Sequence, residues 1–165
     1  MTLYSSELQN NLPEIQRIAA RYKDNPEQLM RLLLEIQSLA ANAVPREVAM
    51  LVSSITGIPE SKIYGYITFY AFFDTKPRGK YIIRMCKSAP CHINGAHAVV
   101  NAISRELGIK PGETTEDKMF TMEYCECKGL CDASPSILIN NIAYSNLTPE
   151  KATEIIKRYK RGEVE

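Results

Sequence analysis

Four cysteines in two short-spaced pairs restrict this chain more than any other feature. Four residues separate Cys86 from Cys91, three separate Cys127 from Cys131, and 35 lie between the pairs. A fold that uses these thiols must bring distant segments together. A fifth cysteine, Cys125, makes the total odd, whereas a secreted disulfide scaffold normally uses an even set. In a reducing compartment, clustered cysteines more often bind metal or do redox work. The first residues, MTLYSSELQN, lack the basic start and apolar run of a signal peptide. No apolar stretch approaches the ~18 residues needed to span a bilayer. A cytoplasmic protein without direct membrane insertion is expected.

The first half reads as helices. Ile15, Ile18, Ala19 and Tyr22 recur at helical spacing after Pro13. Leu29, Leu32, Leu33, Ile36 and Leu39 do so after Pro26, with Asn25 as the expected cap. Pro45 fits a first helical position ahead of Val48, Leu51, Val52 and Ile55, and Gly57 ends that run. Pro59 opens another, carrying Ile63, Ile67, Tyr70 and Phe73. Residues 12–74 thus predict a small helical bundle.

The pattern then changes. Lys76-Pro77-Arg78-Gly79 reads as a linker or turn. Tyr81 to Met85 is a short β-type run ending at Cys86. Ala96, Val99, Val100, Ile103 and Leu107 mark a helix that stops at Gly108, and Lys110 to Asp117 is turn-rich. Phe120, Met122 and Tyr124 alternate with Thr121 and Glu123, as on a strand. A hairpin is expected around Asn140-Asn141. Thr148 can cap a last helix with Pro149 at its first position and Ala152, Ile155, Ile156 and Tyr159 on its apolar face. The order is β-α-β-β-α, an α/β unit.

Both cysteine pairs fall in segments that follow predicted strands. If those strands are neighbours, four thiolates converge. A [2Fe–2S] cluster needs two cysteines per iron in tetrahedral sulfur coordination. Small residues between the ligands, here Ser88, Ala89 and Gly129, let the backbone wrap a cluster and aim N–H groups at its sulfurs. A helix starting near His92 can add its positive end. A structural zinc site also takes four cysteines, usually in closer Cys-x2-Cys pairs. A redox dithiol would want Cys-x-x-Cys, which is absent. A cysteine nucleophile paired with His92 or His97 is a further alternative. The bland reading of both histidines is structural or solvent-facing, and that of Cys125 is an inert buried thiol. A plant-type ferredoxin would need a third near cysteine.

Composition excludes other classes. Across 165 residues, 20 basic and 19 acidic side chains give a net charge of +1. No basic run exceeds Lys157-Arg158, so no nucleic-acid partner is expected. No Gly-x-Gly-x-x-Gly fingerprint is present, so the chain itself shows no dinucleotide site.

Motifs along nearly the whole chain carry a family resemblance. They are Ile67-Thr68-Phe69-Tyr70, Gly79-Lys80-Tyr81, Cys86-x4-Cys91 with Ala89-Pro90 inside it, and Gly112-Glu113-Thr114-Thr115 with Phe120-Thr121. Cys127-x-Gly129-x-Cys131 and Asn146-Leu147-Thr148-Pro149-Glu150 complete the set. The chain resembles the thioredoxin-like [2Fe–2S] subunit family of NADH dehydrogenase (complex I) and of soluble NAD(P)-linked, electron-bifurcating hydrogenases. The resemblance implies an α/β protein with two parts: a helical bundle and docking region at 1–77, and a thioredoxin-like [2Fe–2S] domain at 78–165. It implies Cys86, Cys91, Cys127 and Cys131 as ligands of one cluster. It also implies a flavoprotein iron–sulfur partner carrying FMN and NAD(P), beside a further hydrogenase or dehydrogenase subunit. The chain alone would not oxidise NADH.

Three positions depart from the family pattern. Cys125 stands where a small apolar residue is common, Lys128 where an aliphatic one is usual, and Asp132 where glycine is frequent. Lys128 would favour a reduced cluster and Asp132 oppose it; facing water, both would be screened. Against an electron carrier stands a second reading, a non-catalytic assembly or scaffold subunit with a structural metal.

Overall fold

The structure, a computed structural model, describes residues 6–163. The reading of the first residues as lacking a signal peptide falls largely outside them. The chain divides into two compact units, Met1–Arg78 and Gly79–Glu165. No helix among the described residues is long and apolar enough to cross a membrane.

The regular elements among the described residues of the first unit are all helical: α1 (Ser6–Arg21), a 3-10 turn (Pro26–Gln28), α2 (Leu29–Leu39), α3 (Arg46–Thr56) and α4 (Glu60–Phe69). Their apolar faces meet in one core of Ile15, Leu29, Leu32, Leu33, Ile36, Val48, Val52 and Ile63, all at most 1% exposed. Each such aliphatic side chain contributes ~1.5–3 kcal/mol on burial. This burial overrides a local signal. Pro13 lies inside α1 rather than before it, because buried Leu8 extends the stripe of Ile15, Ile18 and Tyr22 by two more turns. Pro13 and Gln9 are exposed, so the carbonyl that loses its helical partner can meet water.

Helix ends differ by a residue or more from expectation. Pro45 and Pro59 have extended backbone and precede their helices as caps instead of occupying the first turn. Asn25 precedes the 3-10 turn without a side-chain cap bond. Gly57, at φ 74°, ends α3 as expected. Tyr70 and Phe73 lie past α4, where Phe73 still reaches the core. The segment after α4 is tied back by Val44 N–H to the Asp74 carbonyl (2.7 Å) and Arg78 N–H to the Ala41 carbonyl (2.9 Å).

The second unit is a four-stranded mixed sheet with helices packed on it. Its elements are β1 (Tyr81–Cys86), α5 (Ala89–Ile93), α6 (Ala96–Leu107), β2 (Phe120–Cys125), β3 (Ile137–Ile139), β4 (Ile142–Tyr144) and α7 (Pro149–Lys160). β3 and β4 are the hairpin expected around Asn140-Asn141; what the β-α-β-β-α order lacks is α5, and it writes the hairpin as a single element. Sheet order is β2-β1-β3-β4. β1 and β2 are parallel neighbours, with Tyr81 opposite Phe120 and Cys86 opposite Cys125; β3 runs antiparallel to β1. Ile83, Met85, Phe120, Met122, Ile137 and Ile139 join Val99 and Ile103 of α6 and Ile156 and Tyr159 of α7 in one core. Thr148 caps α7, accepting from Lys151 N–H. Gly79 begins the unit against β2. Its N–H donates to Thr121 Oγ1 at 2.7 Å, and a Cβ there would lie 2.6 Å from the Phe120 carbonyl carbon.

Candidate metal centre

Parallel pairing of β1 and β2 puts their C-terminal ends side by side, and the candidate cysteines gather there. Cys86 is the last residue of β1. The chain then turns through Ser88, which caps the five-residue α5, and Pro90 sits in its first turn. Cys91 therefore lies within a short helix, not in the loop expected from sequence. His92 N–H donates to the Ser88 carbonyl at 3.0 Å and Asn94 N–H to the Pro90 carbonyl at 3.1 Å, closing this turn. The longer helix α6 starts only at Ala96, behind Gly95 in left-handed conformation. The expected helix start near His92 is thus α5 plus a break.

The second pair follows β2. Cys127 lies in the loop and Cys131 opens a 3-10 turn (Cys131–Ala133). Gly129, at φ 78°, bends the loop back, and its N–H donates to Cys127 Sγ at 3.4 Å. Left-handed backbone of this kind favours glycine. The Cys127 and Cys131 sulfurs are 3.3 Å apart.

The two pairs sit in different surroundings. Cys86 and Cys91 are buried; Cys127 and Cys131 are exposed. Burial pushes the Cys86 thiol up. The Ser88 N–H and hydroxyl, the neighbouring Cys91 thiol and the Lys128 charge outweigh it and leave Cys86 below its ordinary value. Burial, then the hydrogen bond with Cys86, raises Cys91, against a donor N–H from Ser136. The hydrogen bond with Cys127 raises Cys131, which also feels the charges of Cys91 and Cys86. The pairs are therefore within electrostatic reach of one another. Yet among the described residues no three His, Cys, Asp or Glu side chains close on a single ion position. The arrangement is two sulfurs plus two. A zinc ion needs four donors around one atom, while a [2Fe–2S] cluster needs two on each of two irons. This donor set, with N–H groups of Ser88, Gly129 and Ser136 aimed at sulfur, fits the cluster.

Cys125 ends β2, half-buried, and burial raises its thiol. His92 and His97 are both exposed, and His97 Nδ1 lies 3.2 Å from Asn101 Nδ2. Asp132 is exposed. Lys128 is not: its ammonium donates to the Arg84 carbonyl at 3.1 Å and the Ser136 carbonyl at 3.0 Å. The water-facing reading therefore holds for Asp132 and fails for Lys128, because two carbonyls of β1 and the β3 approach replace water around the charge. Sequence reasoning misses Ser136. It acts through its backbone from far along the chain, and no local pattern marks such a group.

Comparison with known proteins identifies the family of the chain. The family model for the thioredoxin-like [2Fe–2S] ferredoxin matches residues 15–160. The chain is 39% identical over 117 residues to an NADH-quinone oxidoreductase subunit of Escherichia coli strain K12, covering 71% of this chain and 70% of that one. The same identity and coverage hold for the corresponding NADH-quinone oxidoreductase subunit of Salmonella typhimurium strain LT2. Among solved structures, the air-oxidized NAD+-reducing [NiFe]-hydrogenase is similar over 82% of this chain and 23% of that chain, with TM-score 0.71 and 24% identity. That likeness shows a shared fold spanning a minor part of the hydrogenase chain.

Proposed function

Since the chain belongs to the thioredoxin-like [2Fe–2S] ferredoxin family, we propose that it is the electron-transfer subunit of an NAD(P)H-linked flavoprotein complex. Cys86 and Cys91 would hold one iron and Cys127 and Cys131 the other. The observation that carries this is the two-plus-two thiol arrangement at the paired ends of β1 and β2. When bound, the cluster supplies a one-electron couple. The chain's own groups do the rest. The buried pair anchors one side away from water, the exposed pair faces solvent or a partner, and the Ser88, Gly129 and Ser136 N–H groups offset negative charge on sulfur.

The complex is proposed to be a soluble electron-bifurcating hydrogenase, a transhydrogenase or a dehydrogenase. FMN and NAD(P) would reside on the partner flavoprotein iron–sulfur subunit. The helical unit is proposed as the docking region. Support comes from the named relatives, two NADH-quinone oxidoreductase subunits and an NAD+-reducing hydrogenase.

Co-purification from the native host tests the partner. A flavin-containing, NAD(P)-reactive subunit at one-to-one stoichiometry is expected. A chain recovered alone, or with flavin-free partners only, contradicts the proposal. Cys127→Ser separates the carrier from a scaffold with structural metal. A carrier must change its spectroscopic and redox properties, whereas a scaffold keeps both complex and activity unaltered.

A further inference from the structure

Lys128 lies between the two exposed candidate ligands in sequence, but its side chain turns inward. Its ammonium donates to the carbonyls of Arg84, on β1, and Ser136, just before β3. An ammonium taken out of bulk water needs such partners. Carbonyls are dipoles, so they hold the charge in place without neutralising it. Two other cations near the site are each paired with a carboxylate. Arg84 meets Glu123 at 2.8 Å, and Lys87 meets Glu126 at 3.0 Å. Asp132, the acid next to Cys131 in sequence, is exposed and screened.

We propose that Lys128 is a tuning residue: a fixed positive charge that stabilises the reduced form of the centre held by Cys86, Cys91, Cys127 and Cys131. This rests on the function proposed above. The ammonium is held on the carbonyl of Arg84, two residues before Cys86 on β1, while its own backbone lies between Cys127 and Cys131, so one fixed charge sits between the segments that carry the two thiol pairs. Reduction adds one electron from an external one-electron donor, with no bond made or broken. The added negative charge is attracted to the ammonium, and partial burial with fixed geometry leaves that attraction less screened than one between two exposed charges. The same two hydrogen bonds also staple the Cys127–Cys131 loop to the sheet, so charge and staple must be separated.

Three substitutions in the reconstituted full-length chain separate them. Lys128→Arg keeps charge and donors, Lys128→Gln keeps a donor without charge, and Lys128→Met removes both. Iron and sulfide are counted first in the wild type, which bears on the proposed function. Midpoint potentials from spectroscopic redox titration then bear on Lys128 alone. At fixed potential, Lys128→Gln and Lys128→Met are expected to hold on the order of tenfold less reduced centre, about 59 mV for a one-electron couple. Lys128→Arg and the control Asp132→Asn should stay near wild type. If Lys128→Gln keeps the wild-type potential, the assignment is overturned, whether Lys128→Met loads its cluster or not. A potential in Lys128→Arg as low as in Lys128→Gln overturns it too.

Discussion

Cys86 and Cys125 stand directly opposite one another at the ends of two parallel strands. Two residues earlier in the same register, Arg84 and Glu123 form an ion pair. Alternation along a strand puts Arg84, Cys86, Glu123 and Cys125 on one face. Cys125 is therefore a sheet neighbour of a candidate ligand without belonging to either close thiol pair. Cys125→Ala is expected to retain two irons and two sulfides per chain, with an unchanged reduced-state paramagnetic signal. A loss of one iron would make Cys125 a ligand and displace one of the four named.

Gly79 starts the second unit where the backbone passes against β2. A methyl group there meets the Phe120 backbone at 2.6 Å, and backbone cannot swing aside as a side chain can. Gly79→Ala should destabilise the chain by roughly 1–3 kcal/mol, the usual cost of overpacking. Chemical denaturation followed by a probe in the sheet unit checks this. An unchanged midpoint would show that the approach relaxes freely.

In the helical unit, the Tyr22 hydroxyl donates to Glu35 at 2.6 Å. That bond, with Arg21 and Arg31 nearby, outweighs desolvation and holds the Glu35 carboxyl below its usual range. The same bond raises Tyr22. For a depressed carboxylate, the stability is present above the unfolded value of about 4.3 and is lost as pH falls through the folded value. Tyr22→Phe should lower stability at neutral pH and flatten its decline on the acid side. Thermal unfolding from pH 7 down to pH 3 measures both; an acid limb as steep as wild type would contradict the linkage.

What was legible in the sequence was local. Ile15, Ile18, Leu29, Leu32 and Leu33 announce their helices by spacing alone, and Phe120 and Met122 announce their strand. The candidate site was conditionally legible. Cys86 and Cys127 could share it only if their strands were neighbours, and the parallel β1–β2 pairing meets that condition. Interactions that depend on distant backbone were not readable. Pro13 signals a helix start, yet the buried Leu8 carries α1 through it. Lys128 reads as a solvated surface charge until the Arg84 and Ser136 carbonyls are placed beside it. The Ser136 N–H toward Cys91 has no sequence signature at all.

Four cysteines acting as two pairs on two irons are the core of the proposed function. Anaerobic reconstitution of the full chain with iron and sulfide, followed by metal and labile-sulfide analysis, tests it most directly. Two irons and two sulfides per chain are expected, with a one-electron paramagnetic signal on reduction, and Cys127→Ser should alter that signal. One tightly held zinc and no labile sulfide would contradict it.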